Sequence, residues 1–199
     1  MFSWSNPHSE RTTERILVAF PSRLAGYVRA VLQVIPKAEH EPTDDGIDVT
    51  VEGERVLIPY RVYFPEPPDK VVAKLQPLQR LLLAAMFTRH HDGFVRERWL
   101  RAMGPSVESW VPPFVVQLLG EYVVEIACAV EDVIPPGPSS YQAFADANHD
   151  YCRVVSARMI DYWALYYRRQ TPSFGDYPAY RAARQLGVWR ERPPRKVRK

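Results

Sequence analysis

Proline is the feature that most constrains how this chain can fold. The 199 residues contain 19 prolines and only 9 glycines, and the prolines stand between apolar runs. Proline lacks a backbone donor and interrupts helices and central strands, so each cluster marks a boundary between elements. The run Pro135-Pro136-Gly137-Pro138 is the clearest boundary and predicts a linker over 135–138.

The apolar content is high enough for a full core. Hydrophobic residues make up 46% of the chain and aromatic residues 12%, which excludes a wholly disordered protein. Residues 47–51 and 56–64 alternate between apolar and polar around a turn at Glu52-Gly53-Glu54. This pattern predicts a β-hairpin.

Other apolar runs follow helical spacing. After Ser22, apolar residues recur every three or four positions up to Ile35, before Pro36. The same spacing predicts helices at about 77–90, 94–103, 112–133 and 141–169, and a short one near 178–186 closed by Gly187. Residues 15–20 fit either a strand or a helical turn.

Together these patterns predict an α+β fold that is predominantly α-helical, with a small β-hairpin unit packed on a bundle of four to five helices. We divide the chain into a flexible N-terminus (1–14), a small α/β unit with the hairpin (15–69), a helical region (70–187) and a basic tail (188–199). No repeat of fixed period is present in the sequence.

Residues 78–130 resemble one unit of a HEAT-type helical repeat. The resemblance rests on Asp92, which precedes a helix, and on Val95-Arg96 in its first turn, followed by the helix that opens at Trp110-Val111-Pro112-Pro113-Phe114. It implies packing of helix pairs and a protein-binding scaffold, with no chemistry attached.

Five residues are candidate metal ligands. His90-His91-Asp92 combines imidazole and carboxylate groups, which bind zinc, manganese or iron, and it faintly resembles the HD-type metal phosphohydrolases. Glu121 and Glu125 are four residues apart on a predicted helix and would share a face. The alternatives are helix capping by Asp92 and a solvent-facing Glu121–Glu125 stripe paired with arginine.

A second weak candidate site lies early in the 141–169 helix. His149 and Asp150 could transfer a proton, with His149 also near the two glutamates in a bundle-core site. The sequence has no serine elbow, phosphate loop or dinucleotide fingerprint beside them. We therefore predict no cofactor and favour a non-enzymatic protein.

The C-terminal end is strongly basic. From Arg168 to Lys199 there are ten lysines and arginines and two acidic residues, while the whole chain carries only +3. The cations nearest the end predict binding of an acidic partner by Arg192, Arg195, Lys196, Arg198 and Lys199. Aromatic residues from Tyr162 to Tyr180, with arginines between them, could instead stack nucleic-acid bases.

These observations favour a protein-binding or adaptor protein with a basic tail. The alternatives are a metal-dependent hydrolase built on the histidine, aspartate and glutamate candidates, and a nucleic-acid-binding protein that uses the aromatic–arginine segment. Two cysteines in apolar surroundings, and no apolar run that is long and uncharged, predict a soluble cytoplasmic protein without a membrane partner.

Overall fold

A computed structural model describes residues 7–38 and 40–190, and these form ten α-helices and one two-stranded antiparallel sheet. The predicted α+β class with helix predominant is confirmed. None of the helices in these two ranges combines the length and the apolar character that a membrane crossing requires. The buried apolar side chains of the helices and the hairpin form one contiguous core.

The N-terminal region contains a helix where the sequence predicted flexibility. Helix α1 spans Glu10–Leu17, and the Ser9 side chain caps it by accepting a hydrogen bond from the Thr12 amide. Thr12 and Thr13 lie on its buried face. Apolar spacing alone did not predict this helix, because two residues of its buried face are threonines, which count as polar in a sequence pattern. A 3₁₀ turn over Ser22–Leu24 then leads into α2, Ala25–Leu32.

The predicted hairpin is confirmed but is shorter than expected. Strand β1 spans Gly46–Val51 and β2 spans Glu54–Pro59, joined by a two-residue turn whose residues both have positive φ angles. Beyond Pro59 the chain leaves β2, and Val62 instead forms a parallel bridge with His90. The chain after the hairpin is thereby connected to the segment between the helices Pro77–Phe87 and Gly93–Met103.

The helical region begins with a short turn and ends close to the chain terminus. Its α-helices are α3 (Asp69–Val72), α4 (Pro77–Phe87), α5 (Gly93–Met103), α6 (Pro112–Val116), α7 (Val124–Asp132), α8 (Ser139–Ala147), α9 (His149–Tyr162) and α10 (Pro178–Leu186). Two 3₁₀ turns cover Gln117–Gly120 and Phe174–Asp176, and a π-helical turn covers Trp163–Tyr167.

Two long predicted helices are each broken. The 112–133 helix ends at Gly120, and Glu121 is extended before α7 begins at Val124. The 141–169 helix breaks at Asn148, whose φ is −130°. In both places a polar side chain makes buried hydrogen bonds to other segments: Glu121 binds arginines, and Asn148 binds the hairpin.

The C-terminal end of the described chain belongs to the packed body. Gly187 closes α10 in the left-handed conformation, as predicted. The following residue, Val188, is buried, and Trp189 packs against Phe174 and Tyr180. The predicted tail boundary at 188 therefore differs from the structure, in which packing continues to Arg190.

Candidate functional site

The predicted metal-binding triplet has structural roles. His90 is buried, its Nε2 lies 3.2 Å from the Phe64 carbonyl oxygen, and its Nδ1 accepts a hydrogen bond from the Asp92 amide. Asp92 caps α5 by accepting a hydrogen bond from the Phe94 amide. The ring of His91 stacks on Tyr63.

The two predicted glutamates do not share a face. Because the helix breaks after Gly120, Glu121 lies outside α7, where it is buried, whereas Glu125 on α7 is exposed. The expected solvent-facing stripe is therefore wrong for Glu121. Across residues 7–38 and 40–190, no three histidine, cysteine, aspartate or glutamate side chains are arranged to hold a metal ion.

The predicted proton-transfer pair lies on the surface. His149 and Asp150 form the first turn of α9 and both are exposed, and Asp150 pairs with Arg153 at 3.6 Å. Their neighbour Asn148 is buried and uses its side-chain amide to bind the Thr50 backbone, with both N···O distances 2.7 Å.

Glu121 instead lies within a group of arginines. Its carboxylate accepts hydrogen bonds from Arg61, with two N···O distances of 3.2 Å, and from Arg96, with one of 3.3 Å. Arg61 and Arg89 both donate to the Tyr60 carbonyl oxygen, at 2.8 and 2.9 Å. We refer to Arg61, Arg89, Arg96 and Glu121 as the arginine cluster.

The arginine cluster is largely buried. Arg89 is 1% exposed and Arg96 2%, whereas the Arg61 side chain keeps 29% exposure. Arg89 Nε and Nη1 and Arg96 Nε are buried with no hydrogen-bond partner among the described residues. Such donors are costly, because almost all buried polar groups in proteins are bonded.

Burial dominates the electrostatics of the cluster. It lowers the pKa of Arg89 to about 10, a decrease that Glu121 opposes and that the charges of Arg61 and Arg96 reinforce. Burial also lowers the pKa of Arg96, again against the attraction of Glu121. Even at a pKa of about 10, Arg89 is cationic at neutral pH, so the cluster retains its positive charge.

Neutral hydrogen-bonding groups and one more cation surround the cluster. The Tyr151 hydroxyl donates to Gln117 Oε1 at 2.5 Å, and burial raises the pKa of Tyr151 far above its ordinary value, so the phenol stays neutral. The Arg158 guanidinium lies over the Tyr60 ring, 5.9 Å from its centroid. This part of the core is therefore polar and predominantly positive.

The sequence patterns do not predict the arginine cluster, although the position of Arg89 gives one indication. Leu82, Met86 and Arg89 are spaced i, i+4 and i+7, so Arg89 continues the buried stripe of α4. An arginine at an apolar position requires a compensating partner or a function. The contribution of Arg61 could not be inferred, because it lies in an irregular segment after β2.

Exposed apolar side chains form a second feature. Tyr122, Leu165 and Tyr166 expose 57%, 72% and 60% of their surface. The Tyr162 ring lies between two of them, with its centroid 6.4 Å from that of Tyr122 and 6.2 Å from that of Tyr166. We call Tyr122, Tyr162, Leu165 and Tyr166 the aromatic surface.

The π-helical turn after α9 carries this surface. Its Trp163 Nε1 donates to the Thr171 carbonyl oxygen at 2.8 Å, and its Tyr167 hydroxyl donates to the Tyr122 carbonyl oxygen at 2.5 Å. These bonds fix the turn to the body of the protein. Single π turns in helices are rare and occur frequently at functional sites.

In the remainder of the predicted aromatic–arginine segment, the aromatic rings pack against the body, whereas the arginines are exposed. Tyr177 is fully buried, Phe174 and Tyr180 pack against Trp189, and Arg181 is held in an ion pair. The predicted acidic-partner residues lie outside the described residues; they are Arg192, Arg195, Lys196, Arg198 and Lys199.

Comparisons with known protein families, with curated proteins and with solved structures find no match to this chain. The geometry of the arginine cluster and of the aromatic surface therefore provides the basis for a proposed function.

Proposed function

We propose that this chain is a non-enzymatic binding protein whose aromatic surface docks a partner protein with apolar and acidic side chains. The observation that carries the proposal is the exposure of Leu165 and Tyr166 on a turn that is fixed by a hydrogen bond to the backbone of Tyr122, whose side chain is exposed as well. Tyrosine is enriched at protein interfaces because it buries a large area with little loss of conformational freedom.

The charge around the aromatic surface favours an acidic partner. Of the four arginines between residues 153 and 169, Arg153 pairs with Asp150 and Arg158 lies over the Tyr60 ring, which leaves two beside the aromatic surface. Arg168 and Arg169 directly follow the π-helical turn and are exposed. Complementary charge at the rim of an interface accelerates association and selects between partners.

The ring geometry favours a protein over a single-stranded nucleic acid. Tyr122 meets Tyr162 at 68°, and Tyr162 is tilted by 33° from Tyr166, so these rings do not form a row of parallel faces. Bases stack on exposed ring faces, and a row of parallel faces is the usual platform. Leu165 adds an aliphatic side chain, which suits an apolar protein contact.

The basic tail is part of the same proposal. Arg190 donates its amide to Ser156 Oγ on α9, so the segment with the five terminal cations starts beside the helix that ends in the aromatic surface. The HEAT-type resemblance of residues 78–130 agrees with a binding role. Two free cysteines, Cys128 and Cys152, support our proposal of a cytoplasmic location.

Photocrosslinking in native cells tests the proposal. A benzoylphenylalanine at position 165 is expected to crosslink one protein, whereas the same group at the exposed Phe94 position on α5 is the control. Equal labelling from both positions, or a nucleic acid as the product at position 165, would contradict the proposal.

Affinity measurements with the purified partner complete the test. Tyr122→Ser and Tyr166→Ser are each expected to raise the Kd by about tenfold or more, because truncated interface tyrosines commonly cost over 1 kcal/mol. Phe94→Ser should leave the Kd unchanged. Replacing Arg168 and Arg169 by glutamine should slow association and weaken its dependence on salt.

A further inference from the structure

The arginine cluster holds more positive charge than its surroundings balance. Arg61 and Arg96 pair with one carboxylate, that of Glu121, and Arg89 interacts with the same carboxylate only at longer range. Asp92 acts on Arg96 from the start of α5, and Arg158 beside Tyr60 adds a further cation. Within the described residues, the cluster with these two neighbours carries an excess of two positive charges.

The cluster also has donors that point at no acceptor. Arg89 is 1% exposed, yet its Nε and Nη1 lack partners, and so does Nε of Arg96. Leaving a buried charged group without acceptors is among the costlier arrangements in a protein. A water molecule would satisfy the donors but not the charge, whereas an oxyanion satisfies both.

The existing ion pairs are long enough to be re-formed around a ligand. Arg61 and Arg96 approach Glu121 at 3.2 and 3.3 Å, whereas charge-assisted N–H···O bonds are commonly about 2.7–2.9 Å. Arg61 and Arg89 lie side by side because both donate to the Tyr60 carbonyl oxygen. Arg61 is also partly exposed, which gives the cluster an edge at the surface.

We propose that the arginine cluster is a binding site for a phosphate-class oxyanion, either inorganic phosphate or the terminal phosphate of a monoester. At neutral pH this group carries a charge between about −1.5 and −2, which matches the excess of the cluster. Its oxygens accept paired hydrogen bonds from the planar fork of arginine. The site shares no residue with the aromatic surface, although Tyr122 directly follows Glu121, and the inference does not depend on the function proposed above.

Calorimetric titration of the full chain with sodium phosphate tests the inference. The experiment is run at pH 7.5, and sodium chloride keeps the ionic strength constant so that general screening does not change. We expect saturable binding with one phosphate per chain. Absence of saturable heat would overturn the proposal.

Two substitutions assign the binding to the cluster. Arg61→Gln and Arg89→Met are each expected to weaken phosphate affinity by at least about tenfold. Arg184→Met, at an exposed arginine of α10, and a chain with Arg195→Gln and Lys196→Gln should bind as the wild type does. Unchanged affinity in the Arg61→Gln protein would place the ligand elsewhere and overturn the proposal.

The Arg89→Met protein provides an independent check. Arg89 keeps one hydrogen bond, to the Tyr60 carbonyl oxygen, but its Nε and Nη1 are buried without partners, so an apolar side chain of similar length removes a large desolvation cost. We therefore expect its Tm in chloride to equal or exceed that of the wild type, together with loss of the rise in Tm that phosphate gives the wild type. If this variant does not fold, Arg61→Gln decides, because that side chain is partly exposed.

Titration with phenyl phosphate distinguishes the two sources of the ligand. Equal or tighter binding than inorganic phosphate assigns a monoester, and at least about tenfold weaker binding assigns the free anion. In both cases Arg61→Gln must weaken the affinity for the ligand to the same extent. Unchanged binding of phenyl phosphate to this variant would contradict the proposed site.

Discussion

The two hydrogen bonds of the His90 ring determine the protonation state of that side chain. Its Nδ1 accepts from the Asp92 amide at 3.1 Å, so the ring proton must lie on Nε2, which donates to the Phe64 carbonyl oxygen. A second proton on Nδ1 would face the Asp92 N–H and break that bond. The folded protein therefore requires a neutral His90.

This requirement predicts a loss of stability in acid. Burial, reinforced by the charge of His91, lowers the pKa of His90 from its ordinary value of 6.5. The unfolded chain then takes up a proton at a higher pH than the folded chain. The contribution of a neutral His90 to the free energy of unfolding is therefore fully present above about pH 6.5 and is lost as the pH decreases further. Urea midpoints at pH 7.5 and 5.5 measure the decrease.

His90→Gln is the matched variant for this prediction. A glutamine can accept from the Asp92 amide and donate to Phe64, but it does not titrate. We expect its urea midpoint to fall less between pH 7.5 and 5.5 than that of the wild type. Burial lowers the pKa of His8 as well, and because His8 is present in both proteins, the difference between them reports His90. Equal decreases would refute the prediction.

Asn148 provides a second prediction for a single residue. Its side-chain amide accepts from the Thr50 amide and donates to the carbonyl oxygens of Thr50 and Phe144. Asn148→Ala should lower the free energy of unfolding by about 1–3 kcal/mol, because three hydrogen bonds are lost. Denaturant titration measures this change.

Thr50→Ala is the control for Asn148→Ala. Two of the three bonds involve Thr50, and only through its backbone, so this variant keeps all three and should lose less than about 1 kcal/mol, within the range of strand preferences. If both substitutions lower the free energy of unfolding by the same amount, the hydrogen bonds of Asn148 do not stabilise the hairpin.

Among the elements, the π-helical turn after α9 depends on one hydroxyl group. The Tyr167 hydroxyl donates to Tyr122 O and accepts from the Val124 amide at 3.3 Å. Tyr167→Phe should therefore lower the Tm by about 2–4 °C, the effect of roughly 1 kcal/mol in a chain of this size. Hydrogen exchange at the Val124 amide should accelerate.

Tyr162→Phe serves as the comparison for this element. The Tyr162 ring belongs to the aromatic surface, and its hydroxyl makes no hydrogen bond to any residue in 7–38 or 40–190. We expect an unchanged Tm and unchanged exchange at Val124. A Tm loss as large as that of Tyr167→Phe would show that ring packing, rather than the hydroxyl, holds the turn.

Elements defined by local spacing were predictable, and elements broken by distant contacts were not. The hairpin follows from period-two alternation around Glu52-Gly53. The break at Glu121 has only Gly120 as a local signal, and the extended residue that follows is stabilised by Arg61 and Arg96 from remote segments. Helical spacing alone predicts a continuous helix through such a point.

For the whole molecule, the packed body extends at least to Arg190, three residues beyond the predicted end of the helical region. A chain that ends after Gly187 should lose at least about 3 kcal/mol, because it lacks the buried Val188 and the ring contacts of Trp189. A chain that ends after Arg190 keeps these contacts and the ion pair with Asp146, and its thermal melting should resemble that of residues 1–199. Identical melting of the two shortened chains would contradict this limit.

The candidate sites could be anticipated only in part. Exposure of the aromatic segment was foreseeable from the density of tyrosines near Arg168 and Arg169. The arginine cluster was not, because Arg61, Arg89 and Glu121 come from three separate parts of the chain and meet only in the folded structure. A lone sequence carries no record of such pairings.

The two-stranded sheet has two edges, and on each of them one residue is bonded by a group that does not belong to a strand. The Val18 carbonyl accepts from the Leu57 amide on one edge, and the Asn148 side chain occupies Thr50 on the other. An open edge is a template on which another molecule can add a strand. One residue on each edge, Leu57 or Thr50, therefore already has an outward backbone group bonded, so a strand added at either edge could not pair there, and concentrated protein should resist strand-by-strand aggregation through its hairpin.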